Sequence, residues 1–121
     1  MTKRETELAR RAIAAKGWKW LPGMLESKGL RILRVAPDGY AFAWNQTYHH
    51  GWTLGSEALP DLGDAATRGC LLELVRMAWR NATLHARPDG DGWCVWSANM
   101  PGAFLFDSEA EALIAALEAA P

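Results

Sequence analysis

After Arg87 the chain contains no lysine or arginine. Nowhere does it hold a run near the 18 or so apolar residues that a membrane span needs. The opening "MTKRETELARRAIAAKG" lacks the uninterrupted apolar core of a secretory signal. A cytoplasmic location is therefore expected, with no membrane partner. Neither cysteine, Cys70 or Cys94, has a second cysteine within two to four positions. That absence excludes zinc-ribbon and thioredoxin-like signatures, and in a reducing compartment both are expected as free thiols. The histidines are three, and the adjacent pair His49-His50 does not have the i,i+4 spacing of a helical zinc pair. No metal and no cofactor is expected. The glycines of "PDGDG" belong to turn chemistry and lack the following helix start and lysine of a phosphate loop. Asp89 and Asp91 in that turn are too few ligands for calcium.

What is present suits one domain. The 121 residues are 50 % hydrophobic and 22 % charged, enough to bury a core without disulfides or metal. The net charge of −1 hides an asymmetry. Residues 1–35 carry nine Lys/Arg against Glu5, Glu7 and Glu26, a balance of +6 that leaves −7 for the rest. Such halves either attract each other within one fold, pair between copies, or offer separate surfaces to partners.

The element order expected is α-β-β-α-β-β-β-α, an α+β fold with helices packed on antiparallel sheet. Thr2 with Glu5 forms a capping box for a first helix over about Lys3 to Lys16, and Gly17 supplies a left-handed stop. Pro37-Asp38-Gly39 is turn chemistry between two β-type runs. In the second run Tyr40, Phe42 and Trp44 alternate with Ala41 and Ala43, so the aromatics share a face. A short strand is placed around Trp52 to Leu54. Asp64 caps a second helix. At 100° per residue Ala66, Cys70, Leu71, Leu74, Met77 and Ala78 form its apolar stripe, opposite Gly69, Glu73, Arg76 and Arg80. Leu72, Val75 and Trp79 widen the stripe, which makes this helix either central or the border of a partner. Strands follow near Thr83 to Arg87, Trp93 to Ser97 and Ala103 to Phe106, with a turn over Pro88 to Gly92. Ser108 with Glu111 caps a last helix with a stripe of Ala110, Leu113, Ile114 and Leu117.

"WLPGM" (Trp20 to Met24), "LPDLGDAATRGCLLELVRMAW" (Leu59 to Trp79) and "SEAEALIAALEAAP" (Ser108 to Pro121) together resemble the small accessory proteins carried by phages and prophages of high-GC bacteria. In that pattern a proline often follows the capping Asp, where this chain has Ala65. The resemblance implies a phage accessory protein and carries no catalytic residues. With no catalytic signature in the chain, the function expected is non-enzymatic binding of another protein from the host or the phage, a defence component among them, with self-association as a further option. The flank Leu72, Val75 and Trp79, edged by Arg76 and Arg80, is the candidate surface, because a large aromatic beside arginines is a common interface composition.

Seven tryptophans exceed what one small core conveniently buries, so some are expected at the surface. The alternative function is nucleic-acid binding through Arg10, Arg11, Trp18, Lys19 and Trp20, where cations interleave with stacking rings. Residues 64–120 imitate the order of a double-stranded-RNA module, but Asp107, Glu109 and Glu111 occupy the end where that module needs cations. A third class is a thiol enzyme pairing Cys94 with His85 across neighbouring strands. Against it, the same two residues on paired strands read as packing and surface; Cys70, in the helix stripe, reads as a small hydrophobe.

Overall fold

Three side chains start the three helices. Thr2 Oγ1 accepts from Glu5 N–H while Glu5 closes the capping box, Asp64 accepts from Thr67 N–H, and Ser108 accepts from Glu111 N–H. The helices are α1 (Lys3–Ala14), α2 (Ala65–Trp79) and α3 (Glu109–Ala119). A computed structural model describes residues 1–45, 50–97 and 105–121. Among them, no helix is long and apolar enough to cross a membrane.

Between α1 and α2 run β1 (Arg31–Val35), β2 (Ala41–Asn45) and β3 (His50–Thr53), an antiparallel sheet in that order. After α2 come β4 (His85–Asp89) and β5 (Gly92–Trp96), an antiparallel hairpin. The fold is α+β, with three helices and two small antiparallel sheets among the described residues. Of the strand expected near Ala103 to Phe106, Ala103 and Phe104 lie outside the described residues. Phe106 itself exchanges two backbone hydrogen bonds with Trp93, of 2.8 and 2.9 Å. Gly92 admits this neighbour, since a Cβ there would sit 2.9 Å from the Phe106 carbonyl oxygen.

Several boundaries move for local reasons. Helix α1 ends at Ala14, with Ala15 extended, and Gly17 is not left-handed. Its lack of a side chain serves packing instead, because a Cβ at Gly17 would lie 3.0 Å from Leu117 Cδ1 and 3.3 Å from Ala78 Cβ. Strand β4 begins two residues later than expected, since Asn81 Oδ1 takes the N–H and hydroxyl of Thr83. The turn narrows to Gly90-Asp91, with Gly90 at φ +59°, so Pro88 and Asp89 join the strand. Proline is tolerated there because β4 and β5 form a two-stranded hairpin in which an edge N–H can be spared.

The core joins α1 (Leu8, Ala9, Ala12), the sheet (Ile32, Ala41, Ala43), α2 (Leu71, Leu74, Val75) and α3 (Leu113, Ile114, Leu117). The enclosed helix is α3, not α2: it packs against α1, α2, β4 and β5. It buries Ala112 and Ala116 besides the expected stripe. On α2 the buried face is rotated from the expected one. Thr67, Leu71, Leu74 and Val75 are inside, whereas Ala66 is exposed and Met77 is 52 % exposed. Thr67 is admitted because its hydroxyl is satisfied, donating to Asp64 Oδ2 at 2.9 Å and accepting from Leu25 N–H at 2.8 Å.

Gly69 has no atom within 4 Å of the position a Cβ would take, so no packing demand explains it. Gly69→Ala is expected to stabilise the fold by about 1 kcal/mol through helix propensity alone, seen as a rise in the thermal midpoint of several degrees. An unchanged or lower midpoint would contradict this.

Candidate interaction surface

The charge asymmetry is answered in part within the fold. Arg4 pairs with Glu111, Arg11 with Glu118 at 2.6 Å, and Arg31 with Asp64 at 2.7 Å. Basic α1 is thereby tied to acidic α3 across 107 positions of sequence. Hydrogen bonding to Glu118 holds the Arg11 guanidinium above its usual pKa.

This pairing divides the nucleic-acid candidates. Arg11 is committed to Glu118, Arg10 and Lys19 are exposed, and Trp18 and Trp20 are half-buried against the core. The two rings meet edge to face, 5.4 Å between centroids.

The flank on α2 is engaged inside the molecule. Val75 is 0 % exposed, Leu72 and Trp79 pack on the core, and the Trp79 indole N–H donates to the Ala116 carbonyl of α3 at 2.8 Å. Arg76 donates to the Leu84 carbonyl at 2.7 Å and to Glu73 at 2.7 Å. Arg80 is exposed and closes α2 in the left-handed conformation, φ 51°. Val75 is thus inside the core and Trp79 is bonded to α3, while Leu72 and Trp79 keep part of their surface in solvent.

The cysteines are likewise placed for structure. Cys70 is partly buried, and its thiol faces the Pro22 carbonyl at 3.5 Å. Burial, aided by the charges of Asp64 and Glu73, pushes that thiol's pKa up, which disfavours the nucleophilic thiolate. Cys94 is buried and registered with Arg87, whereas His85 is registered with Trp96. The His85 ring instead stands edge-on to Trp96 at 5.5 Å and lies 3.3 Å from the Thr83 carbonyl. His49 lies outside the described residues. Among those described, no group of three or more His, Cys, Asp or Glu could hold a metal ion.

The surface that stands out is on the three-stranded sheet. Strand β2 turns its alanines inward, with Ala41 and Ala43 3 % and 2 % exposed. By strand alternation its aromatics face the other way. Tyr40, immediately before the strand, is 60 % exposed, and Phe42 and Trp44 are half-buried. On β1, Ile32 pairs with Ala43 but Arg34 pairs with Phe42, so Leu33 is the extra residue of a β-bulge. Plain alternation from inward Ile32 would send Arg34 into the core. The bulge turns it out, with its guanidinium 4.4 Å from the Phe42 ring centroid. Leu33 is left 59 % exposed beside it. The sequence shows that these aromatics share a face but contains no mark of the bulge.

Comparison with family models, curated proteins and solved structures finds no match to this chain.

Proposed function

We propose that this chain is a non-enzymatic protein-binding module, and that it docks its partner on the outer face of the β1–β2 hairpin. The orientation of β2 carries this reading. The monomer buries two alanines and leaves Tyr40, Phe42 and Leu33 wholly or partly in water. Full burial of a large apolar side chain contributes roughly 1.5–3 kcal/mol, and a partner covering the face would recover the part that belongs to the surface still exposed. An arginine stacked among aromatics is the composition of interface hot spots. The raised thiol of Cys70 and the separation of Cys94 from His85 in register support a non-enzymatic role. The likeness of Trp20 to Met24 and Leu59 to Trp79 to phage accessory proteins supports a cytoplasmic setting with a host or defence protein as the partner. Neutralisation of Arg11 by Glu118 removes a cation from the competing nucleic-acid surface.

The test is affinity capture from bacterial host lysate at about 150 mM salt, where exposed charges are screened beyond about 8 Å. Nuclease-treated and untreated arms run in parallel, with the double variant Leu33→Ser, Phe42→Thr as control. A discrete protein is expected in both arms and lost with the variant, whose circular dichroism stays native. Retention of nucleic acid that nuclease abolishes, or equal capture by the folded variant, would overturn the reading.

A further inference from the structure

Beside the β1–β2 turn lies a groove of about 650 Å³, lined by Trp20, Asp38, Tyr40, Leu54 and Ser56 together with the backbone of Gly39 and Gly55. Of its two aromatic walls, Trp20 is placed by packing and Tyr40 by its backbone alone. Trp20 packs on the core and stands edge-on to Trp18. The Tyr40 backbone is held on both sides, its carbonyl accepting from Ala36 N–H at 2.8 Å and its N–H donating to Asp38 Oδ1 at 3.2 Å. That hydrogen bond also fixes the Asp38 carboxylate at the groove. A carboxylate offers about four acceptor sites, so one backbone N–H leaves most of its capacity for a ligand. Among the described residues of the lining, Asp38 is the only charged side chain.

A second groove, of about 370 Å³, runs on from the first along Leu54, Gly55 and Ser56. Among the described residues of its lining, Glu57 and the buried Glu26 stand against one cation, Lys28. Within the two grooves the described carboxylates Asp38, Glu26 and Glu57 outnumber Lys28, a balance that disfavours phosphates and carboxylates there, while the cation Arg34 stands over Phe42 on the adjoining face. The balance within the grooves favours a group that is positive, flat enough to lie on a ring, and borne on an apolar stem that can run past Leu54. Guanidinium combines these properties. It stacks on aromatic faces and pairs with carboxylates in a fixed fork, whereas an ammonium is a compact, strongly hydrated point charge.

We infer that the groove formed by Trp20, Tyr40 and Asp38 receives an arginine side chain of the partner protein. The inference rests on the reading of the chain as a protein-binding module and names the partner's contact chemistry. The guanidinium lies against the Trp20 and Tyr40 rings and pairs with Asp38, next to the outer face of the hairpin.

The probe is the blocked tripeptide Gly-Arg-Gly, titrated into the intact chain. The readouts are the NMR signals of the Trp20 indole N–H and the Gly39 and Gly55 amides. The same peptide with citrulline in place of arginine keeps the shape and removes the charge. Asp38→Asn keeps a turn-forming acceptor and removes the countercharge. Saturating shifts are expected with the arginine peptide, with affinity at least fivefold weaker for citrulline and at least fivefold weaker for Asp38→Asn. No saturable shift with the arginine peptide, equal affinity for citrulline, or an unaffected Asp38→Asn would each overturn the inference. Capture of a lysate protein that depends on Phe42 while the peptide fails would remove the arginine and leave the binding reading standing. Peptide binding without any such capture would leave the groove's affinity for guanidinium standing and overturn its assignment to a partner protein.

Discussion

Asp64→Ala is expected to lower the unfolding free energy by about 3 kcal/mol and the thermal midpoint by roughly 10–15 °C. The Asp64 carboxylate accepts from Thr67 N–H and from the Thr67 hydroxyl, each at 2.9 Å, and from both terminal nitrogens of Arg31 at 2.7 and 3.2 Å. Loss of the cap alone costs about 1 kcal/mol. The remainder comes from leaving Arg31 and the buried Thr67 hydroxyl short of a partner, discounted because Arg31 is partly in solvent. Asp64→Asn separates these contributions, since asparagine caps as well as aspartate but does not neutralise Arg31.

The same carboxylate predicts an acid-sensitive stability. The Arg31 guanidinium, with help from Thr67, pulls the Asp64 pKa down to about 2, against about 3.9 in an unfolded chain. A depressed folded pKa means that the unfolded state takes up the proton first. The contribution is complete above about pH 4 and is lost as pH falls toward 2, about 1–2 kcal/mol in all. Denaturant midpoints measured from pH 5 to pH 2 should show a shallower decline for Asp64→Asn than for the wild type. Identical declines, or an Asp64→Ala cost under about 1 kcal/mol, would contradict this role.

Trp79→Ala should be comparably damaging, at about 3 kcal/mol. The half-buried ring packs against the core, and its N–H is the bond from α2 to the Ala116 carbonyl of α3. Trp79→Phe keeps most of the packing and forfeits the hydrogen bond, for about 1 kcal/mol. An interface tryptophan would behave oppositely, with the monomer's stability nearly unchanged and association impaired. A Trp79→Ala chain that melts where the wild type melts would therefore restore the α2 flank as a docking surface.

Features written in nearby residues were legible in the sequence. Thr2 with Glu5, Asp64, and Ser108 with Glu111 are caps because their hydrogen bonds close within three residues. The alternation from Tyr40 to Trp44 was equally plain, but alternation defines two faces without saying which is inside. The choice of alanines for the core depends on what lies above the sheet. Distant partners account for the other misreadings. Thr67 is interior because Leu25, 42 positions away, donates to it, and a periodicity that counts threonine as polar turns the helix the wrong way. Gly17 and Gly92 answer to Leu117 and Phe106, not to their own turns. The surplus of positive charge in residues 1–35 left pairing within the fold, pairing between copies and separate partner surfaces all open, and only the tertiary structure shows Arg4 and Arg11 meeting counterions on the last helix. The Leu33 bulge, which turns the interaction face outward, is visible only in the pairing of β1 with β2.

Placing the photoreactive residue p-benzoylphenylalanine at position 42 in one chain and at position 77 in another tests the docking face directly, because Met77 is exposed but lies on α2, away from the sheet. Irradiation in host lysate should give a single adduct between the position-42 chain and a host protein, and none from position 77. An adduct from position 77 alone, or position-42 adducts formed only with a second copy of the chain, would contradict the hairpin's outer face as the site where a partner docks.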